Sequence, residues 1–407
     1  MAYPVAAVDQ VIVVGGGIGG LATAYTLARS GLQVRVLERA AEFAEIGAGL
    51  QLAPNATRLL SRFDLLDDVL ATAVLPRRIV ARNALSGEEL TSLDLTAAAE
   101  RYGGPYIVLH RSDLLDVLVA RCRAESRVTL ETSKRVVRAA DHGDAVEVVC
   151  DDRTTYQAAV LVGADGLNSS IRSMVVQDEP ICSGYVAYRG AVPLDTVHRR
   201  PPLEDVVVWF GPGLHLVQYP VRSATLYNQV AVFRSDAFAA GAQDWGTPAE
   251  LDARFSACSA PVREALTALR RDRRWPLYDR LPAGTWSSGR VVLVGDAAHP
   301  MLQYLAQGAC QALEDAAALA DALAKTAGTP HPAAGDVNRA FAEYQAARLE
   351  QAGRVQRTAR AWGDIWHVEG LAMALRDEAF RLRAGDDYRH VDWLYAGERL
   401  RMSMAQA

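Results

Sequence analysis

The chain has 407 residues, half of them hydrophobic and 22% charged, with a formal net charge of −5. That length allows two or three packed units with a large core, as in an ordinary soluble protein. The mild negative balance argues against nucleic acid or an anionic membrane surface as a partner.

The first ten residues lack a basic segment followed by a long apolar run, so no signal peptide is expected. No stretch approaches ~20 uninterrupted apolar residues, so no membrane span is expected. The five cysteines, Cys122, Cys150, Cys182, Cys258 and Cys310, are scattered without CxxC spacing. Free thiols in a reducing cytoplasm are expected, with no disulfide framework and no metal site.

Val11 to Val14 reads as a strand that runs into Gly15-Gly16-Gly17-Ile18-Gly19-Gly20. A helical pattern follows from Leu21 to Ser30, with Gly31 at the C-terminal glycine position, then a strand from Val34 to Leu37 ending at Glu38. Gly15, Gly17 and Gly20 form G-x-G-x-x-G in the strand–turn–helix setting that gives the pattern meaning. The first glycine makes the turn, the second admits a pyrophosphate, and the third lets helix and strand pack closely. Glu38 stands where a ribose-binding acid belongs, which points to FAD or NAD.

Next come the glycine-rich stretch from Glu45 to Gln51 and a predicted helix from Asn55 to Leu70. Ser112 is a predicted N-cap for a helix running to Arg123. Arg111, just before it, is either a phosphate or flavin contact or a plain surface arginine. Short strands are predicted at 128–130, 136–139, 145–150 and 158–162. The last leads into Gly163-Ala164-Asp165-Gly166 and on to Arg172.

From Cys182 to Leu281 strands at 206–210, 214–220 and 229–233 alternate with Gly/Pro turns, as in an inserted antiparallel sheet. Period two puts His215, Val217 and Tyr219 on one face. That face is either a pocket wall or a structural histidine beside a core tyrosine. Leu251 to Arg270 reads as one helix. Val291 to Val294 then opens a strand–loop–helix unit, Gly295 to Ala316, whose helix entrance at Gly308 offers free N–H groups and a positive dipole end. Helix is predicted on to about 327 and again over most of 336–384.

Together, the glycine fingerprint with Glu38, the 163–172 motif and Gly295-Asp296-Ala297-Ala298-His299-Pro300 resemble the class A flavoprotein monooxygenases, the single-component FAD-dependent aromatic hydroxylases. The resemblance spans essentially the whole chain. It implies an α/β fold: a glutathione-reductase-like FAD-binding Rossmann domain with an inserted antiparallel-sheet substrate domain and a C-terminal helical region. The implied division is 1–181 for the first FAD part, with substrate-side segments near 75–108, then 182–281 for the sheet, 282–335 for the FAD return and 336–407 for the helices.

The resemblance further implies tightly but non-covalently bound FAD, transient NADH or NADPH, and O2 reacting through a flavin C4a-hydroperoxide. It implies a cytoplasmic homodimer acting on an aromatic acid. On the cofactor it places Ile18, Arg39, Gln51, Arg111, Asp165, Arg172, Asp296 and Pro300, and the amides of Gly308, Ala309 and Cys310. His299 is expected to be structural and the Cys310 thiol a packing group.

Many relatives carry a proline five residues before the helix-opening glycine, with its carbonyl near the substrate; here the position is Gln303. The salicylate 1-hydroxylases resemble the chain overall but usually carry a proline-histidine type loop here, and a hydroxynicotinate or polyketide-tailoring hydroxylase and a non-catalytic flavin-binding sensor are the other readings. The loop around Gln303, with His215 and Tyr219, resembles the 3-hydroxybenzoate 6-hydroxylases. This implies that His215 accepts or polarises a phenol proton, Gln303 orients the ring, and Tyr219 meets the substrate carboxylate or closes the pocket.

Overall fold

The β-branched run in Asp9–Val14 forms the centre of a parallel layer, hydrogen-bonded to Val34–Leu37 on one side and Thr155–Gly163 on the other. The computed structural model describes residues 9–44, 48–197, 202–329 and 331–397; Glu45 to Gly47 of the glycine-rich stretch therefore lie outside the described residues. Val128–Glu131 and Val291–Leu293 extend the layer in parallel, Ser287–Ser288 adds an edge strand, and the hairpin Val136–Asp141/Val146–Cys150 joins through Thr155–Gly163. The helices Ile18–Arg29 and Gly308–Leu323 pack against each other beside this layer. Their alanines and leucines sit in one core with the strand valines.

A second, seven-stranded sheet runs in the order Trp275–Asp279, Ile181–Pro193, Leu226–Arg234, Leu214–Val221, Asp205–Gly211, Arg78–Asn83, Glu89–Asp94. Two of its strands thus come from the first third of the chain. It departs from the expected antiparallel pattern at one place, because Asp205–Gly211 and Arg78–Asn83 pair in parallel. Both faces are covered. Val207, Trp209 and Leu216 pack with Leu251, Phe255 and Val262 of the short helices outside, while Val208, Phe210 and Val217 face the main core. Burial on both sides explains why these strands read as continuous apolar runs.

Three helix boundaries differ from the sequence expectation. The 55–70 segment is two helices, Pro54–Arg62 and Leu66–Leu70, separated where Asp64 adopts φ +58°. The 251–270 segment breaks into Pro248–Phe255, Ala260–Ala265 and a 3-10 turn, Leu266–Ala268. Ser112 lies inside its helix, which starts at Arg111 with His110 as the N-cap residue. A single helix, Ala334–Trp366, runs 33 residues along the C-terminal part and is followed by Gly370–Arg381. Among the described residues, no helix is long and apolar enough to cross a membrane and no cluster of His, Cys, Asp or Glu could hold a metal. All five cysteines are free.

Candidate active site

A cavity of about 1380 Å³ is lined from both sheets, the glycine turn, the 295–309 loop and the C-terminal segment. At one end Gly15 takes φ +110°, and a Cβ there would lie 2.4 Å from the Ala164 carbonyl oxygen. A Cβ on Gly20 would lie 1.9 Å from the Gly15 carbonyl oxygen, so helix and turn touch backbone to backbone. Gly15, Gly17 and Ile18 line the cavity, and no side chain caps the helix that begins at Ile18. Its positive end therefore serves the cavity as an anion seat. Glu38 lines the same end; its carboxylate accepts hydrogen bonds from the Gly16 amide (2.7 Å) and the Ala40 amide (2.8 Å). Arg39, Gln51 and Arg111 are also in the lining.

The second helix entrance, at Gly308, opens onto the same cavity through Gly308 and Ala309. Intrahelical bonding begins when the Gln311 amide donates to the Gln307 carbonyl (2.8 Å), so the amides of 308–310 precede it. Ala306, just before, takes the left-handed conformation (φ +51°), a locally strained turn between Gln303 and the helix. Asp296 is exposed into the cavity. Asp165 lines it too, but its carboxylate is bound by the Ser169 and Ser170 hydroxyls and by the Ser170 amide at 2.7 Å, which closes the turn. Two helix ends, a backbone cradle and an acid at ribose distance in sequence fit a dinucleotide whose far end is electron-rich.

Pro300, Arg172 and the side chain of Cys310 stand behind this wall and not in it. Pro300 does not line the cavity; its carbonyl accepts from Gln356 Nε2 (3.0 Å). The Cys310 side chain is fully buried, with the Ala53 amide 3.5 Å from Sγ, and burial pushes the thiol up to about 12. It is a packing group. Arg172 is buried, grips Asp178 (2.8 Å) and donates to the Ala297 and Ala298 carbonyls (2.7 Å each). Arg172 therefore shapes the loop from outside.

A buried ionic group that the sequence reading missed supports the same loop. Asp315 accepts from the Gly295 amide (2.8 Å) and Arg348 Nε (2.9 Å) and also bonds His299 Nε2 (2.5 Å). Burial raises the Asp315 pKa, but His299 and Arg348 outweigh it and hold the carboxyl below its ordinary range. His299 is structural here, as expected.

At the other end, His215, Val217 and Tyr219 of the strand Leu214–Val221 line one wall, as period two requires, and Gln303 lines the adjoining loop. Gly49 lets the neighbouring strand cross Tyr219: a Cβ there would stand 2.6 Å from the tyrosine ring. Burial raises the Tyr219 phenol well above its usual range, so it stays neutral. His215 is 1% exposed, and burial, then His367, holds it well below the ordinary imidazole range. It is uncharged at neutral pH. Tyr304 meets the His215 ring edge-on, with centroids 5.5 Å apart. His367 and Trp366, from the end of the long helix, pack against His215 as well. No local motif marks these two; only docking of the helix brings them in.

The chain matches the family described as "FAD binding domain" over residues 9–355. It is 36% identical over 396 residues to the 3-hydroxybenzoate 6-hydroxylase of Klebsiella oxytoca, covering 96% of this chain and 97% of that one. It is 37% identical over 388 residues to the 3-amino-4-hydroxybenzoate 2-monooxygenase of Streptomyces cremeus, covering 95% and 94%. The structure is similar to that of Klebsiella pneumoniae HpxO complexed with FAD and uric acid, at a TM-score of 0.80 and 26% identity over 98% of this chain and 96% of that chain. The glycine cradle, the two helix ends meeting at one cavity and these matches together make the chain a member of the FAD-binding-domain family and an FAD-dependent aromatic hydroxylase.

Proposed function

We propose that the protein converts 3-hydroxybenzoate, NADH, a proton and O2 into 2,5-dihydroxybenzoate (gentisate), NAD+ and water. The observation that carries this reading is that His215, Tyr219 and Gln303 converge on the cavity that also holds the glycine cradle and the Gly308 helix entrance. Bound FAD, once reduced, supplies the activated oxygen; the protein supplies position and electrostatics.

Attack on the ring needs electron release from its hydroxyl, which acts ortho and para. For 3-hydroxybenzoate the para carbon is C6. His215 Nδ1 is taken by His367 at 2.8 Å, which leaves Nε2 as the ring nitrogen for the substrate hydroxyl. A neutral imidazole there accepts the phenol proton or donates to the phenolate. Gln303 orients the ring from the adjoining loop, and the neutral Tyr219 hydroxyl donates to the carboxylate. Positioning of this kind accounts for several kcal/mol of barrier. Within 295–309, Asp296 and the Gly308 and Ala309 amides serve the flavin. The buried aromatic wall of Tyr304, Trp366 and Phe210 excludes water from the reacting end.

A 3-amino-4-hydroxybenzoate ring is the second reading, supported by the 37% identity to the Streptomyces cremeus enzyme. Substrate-stimulated NADH oxidation is measured over 3-hydroxybenzoate, salicylate, 3-amino-4-hydroxybenzoate and 6-hydroxynicotinate, followed by product identification. Gentisate from 3-hydroxybenzoate is expected. Stimulation by another member of the panel without gentisate formation overturns the assignment.

A further inference from the structure

The long helix Ala334–Trp366 ends by presenting His367 to the back of His215. Nε2 of His367 lies 2.8 Å from Nδ1 of His215, and the two rings are inclined by only 25°. His367 is held from several sides. Tyr185 stacks on it at 4.6 Å, its carbonyl accepts from the Gly213 amide (3.0 Å), and Arg376 ties down the preceding carbonyl, that of Trp366 (2.6 Å). Its remaining ring nitrogen, Nδ1, is buried without a hydrogen-bond partner. Such an atom in a native core calls for an explanation.

A neutral imidazole carries one N–H and one lone pair. Two imidazoles in series therefore have two settings. In one, His215 Nδ1–H donates to His367 Nε2, and a bare Nε2 of His215 faces the cavity. In the other, His367 Nε2–H donates to His215 Nδ1, and His215 shows the cavity an Nε2–H. The first suits a phenol, the second a phenolate.

We propose that His367 is the outer half of a two-imidazole relay that sets the tautomer of His215 and carries the substrate's phenol proton out of the cavity. This rests on the hydroxylation of a phenolic acid proposed above. The phenol O–H breaks as His215 Nε2–H forms. The Nδ1 proton of His215 passes to His367 Nε2, and the Nδ1 proton of His367, buried in the resting fold, leaves to water when the segment after the helix end opens. One proton is released, no electrons move, and both rings finish neutral in the opposite tautomer with a phenolate in the cavity. Neither histidine has to persist as a cation, which suits the surroundings: burial and the Arg376 and Arg234 charges hold His367 down to about 3. Tyr304, Trp366 and Tyr185 are the other rings packed on the pair, and Arg376 is itself paired with Asp377. His367 keeps 7% exposure at the helix end, beside the exposed Asp364 and Glu369.

The test uses FAD-loaded wild type, His367→Phe, which keeps a stacked ring, and His367→Gln, which keeps hydrogen-bonding capacity but cannot relay. Thermal midpoint and flavin content report structure. Ultraviolet difference titration of bound 3-hydroxybenzoate reports the phenol. Both variants are expected to keep flavin, to raise the pKa of the bound phenol by about one unit or more, and to lose roughly tenfold or more in hydroxylation at neutral pH, with recovery in alkali. If either flavin-loaded variant matches wild type in both titration and rate, the relay is overturned. If wild type hydroxylates another phenolic acid of the panel instead, the titration is run with that ligand. If wild type hydroxylates none, the functional reading itself has failed and the relay with it.

Discussion

A Cβ built on Gly363 would stand 2.4 Å from Cε2 of the Tyr304 ring. The long C-terminal helix is notched at this point so that the tyrosine of the flavin loop can pass into it and reach His215. Filling the notch with Gly363→Ala overpacks the contact, at about 1–3 kcal/mol, against a helix-propensity gain of about 0.5–1 kcal/mol. The variant is expected to melt lower and to release more hydrogen peroxide per NADH consumed, with Gly363→Val worse on both. Unchanged melting and coupling would show that the loop tolerates displacement of Tyr304.

Arg348 and Asp315 join the same helix to the Gly295 turn. Removing Arg348 leaves the buried Asp315 carboxylate with only the Gly295 amide and His299, and loss of one member of a buried pair costs about 3–5 kcal/mol. Arg348→Met should therefore lose stability and flavin together. The Asp315 carboxyl is depressed in the fold, so its stabilisation is complete above the unfolded value of about 3.9 and is lost as pH falls through the lower folded value. The deficit of Arg348→Met relative to wild type should accordingly narrow as the medium is taken toward that range, because a protonated Asp315 needs no partner. Denaturation midpoints across pH measure this.

Glu38 bridges the Gly16 and Ala40 amides at the cradle. Glu38→Ala removes that brace and the proposed ribose contact, so flavin affinity should fall by roughly tenfold or more, as for loss of a charge-assisted hydrogen bond of about 1.5–3 kcal/mol. Glu38→Gln should fall between the two. Flavin content after gel filtration decides the matter, and full retention in Glu38→Ala removes Glu38 from the binding site.

His215 and His367 have folded pKa values below the ordinary imidazole value. The unfolded chain therefore takes up protons first as acid is added. Stability is unaffected above about pH 6.5 and falls below it, by up to about 1.4 kcal/mol per pH unit for each histidine. Wild type should lose urea resistance between neutral pH and about pH 5.5 more steeply than the double variant His215→Phe/His367→Phe. Parallel loss in the two proteins would mean that other groups control acid lability.

Local rules carried much of this protein. The glycine turn, the strand before it and the acid after it are set within some thirty residues by φ/ψ sterics and hydrogen bonding. That is why the turn at Gly15, Gly17 and Gly20 with Glu38 beside it was legible before any packing was known. Side-chain alternation likewise put His215, Val217 and Tyr219 on one wall, since a strand has only two faces. The failures were also local in origin: Asp64 in a left-handed conformation ends a helix whose apolar pattern runs on through Leu70, and propensity alone does not register such a break.

The cofactor class and one wall of the cavity follow from local sequence. Which distant groups act on that wall depends on how the helices dock. His367 lies 152 residues from His215, and Arg348 lies 33 from Asp315. Neither pair has a spacing that any helix or strand period would select. They meet because one long helix buries its apolar side against the flavin loop, and the free energy of that burial comes from the whole surface removed from water, with no one position marking it in the sequence. The same docking encloses His215 between Trp366 and His367 and so draws its pKa down.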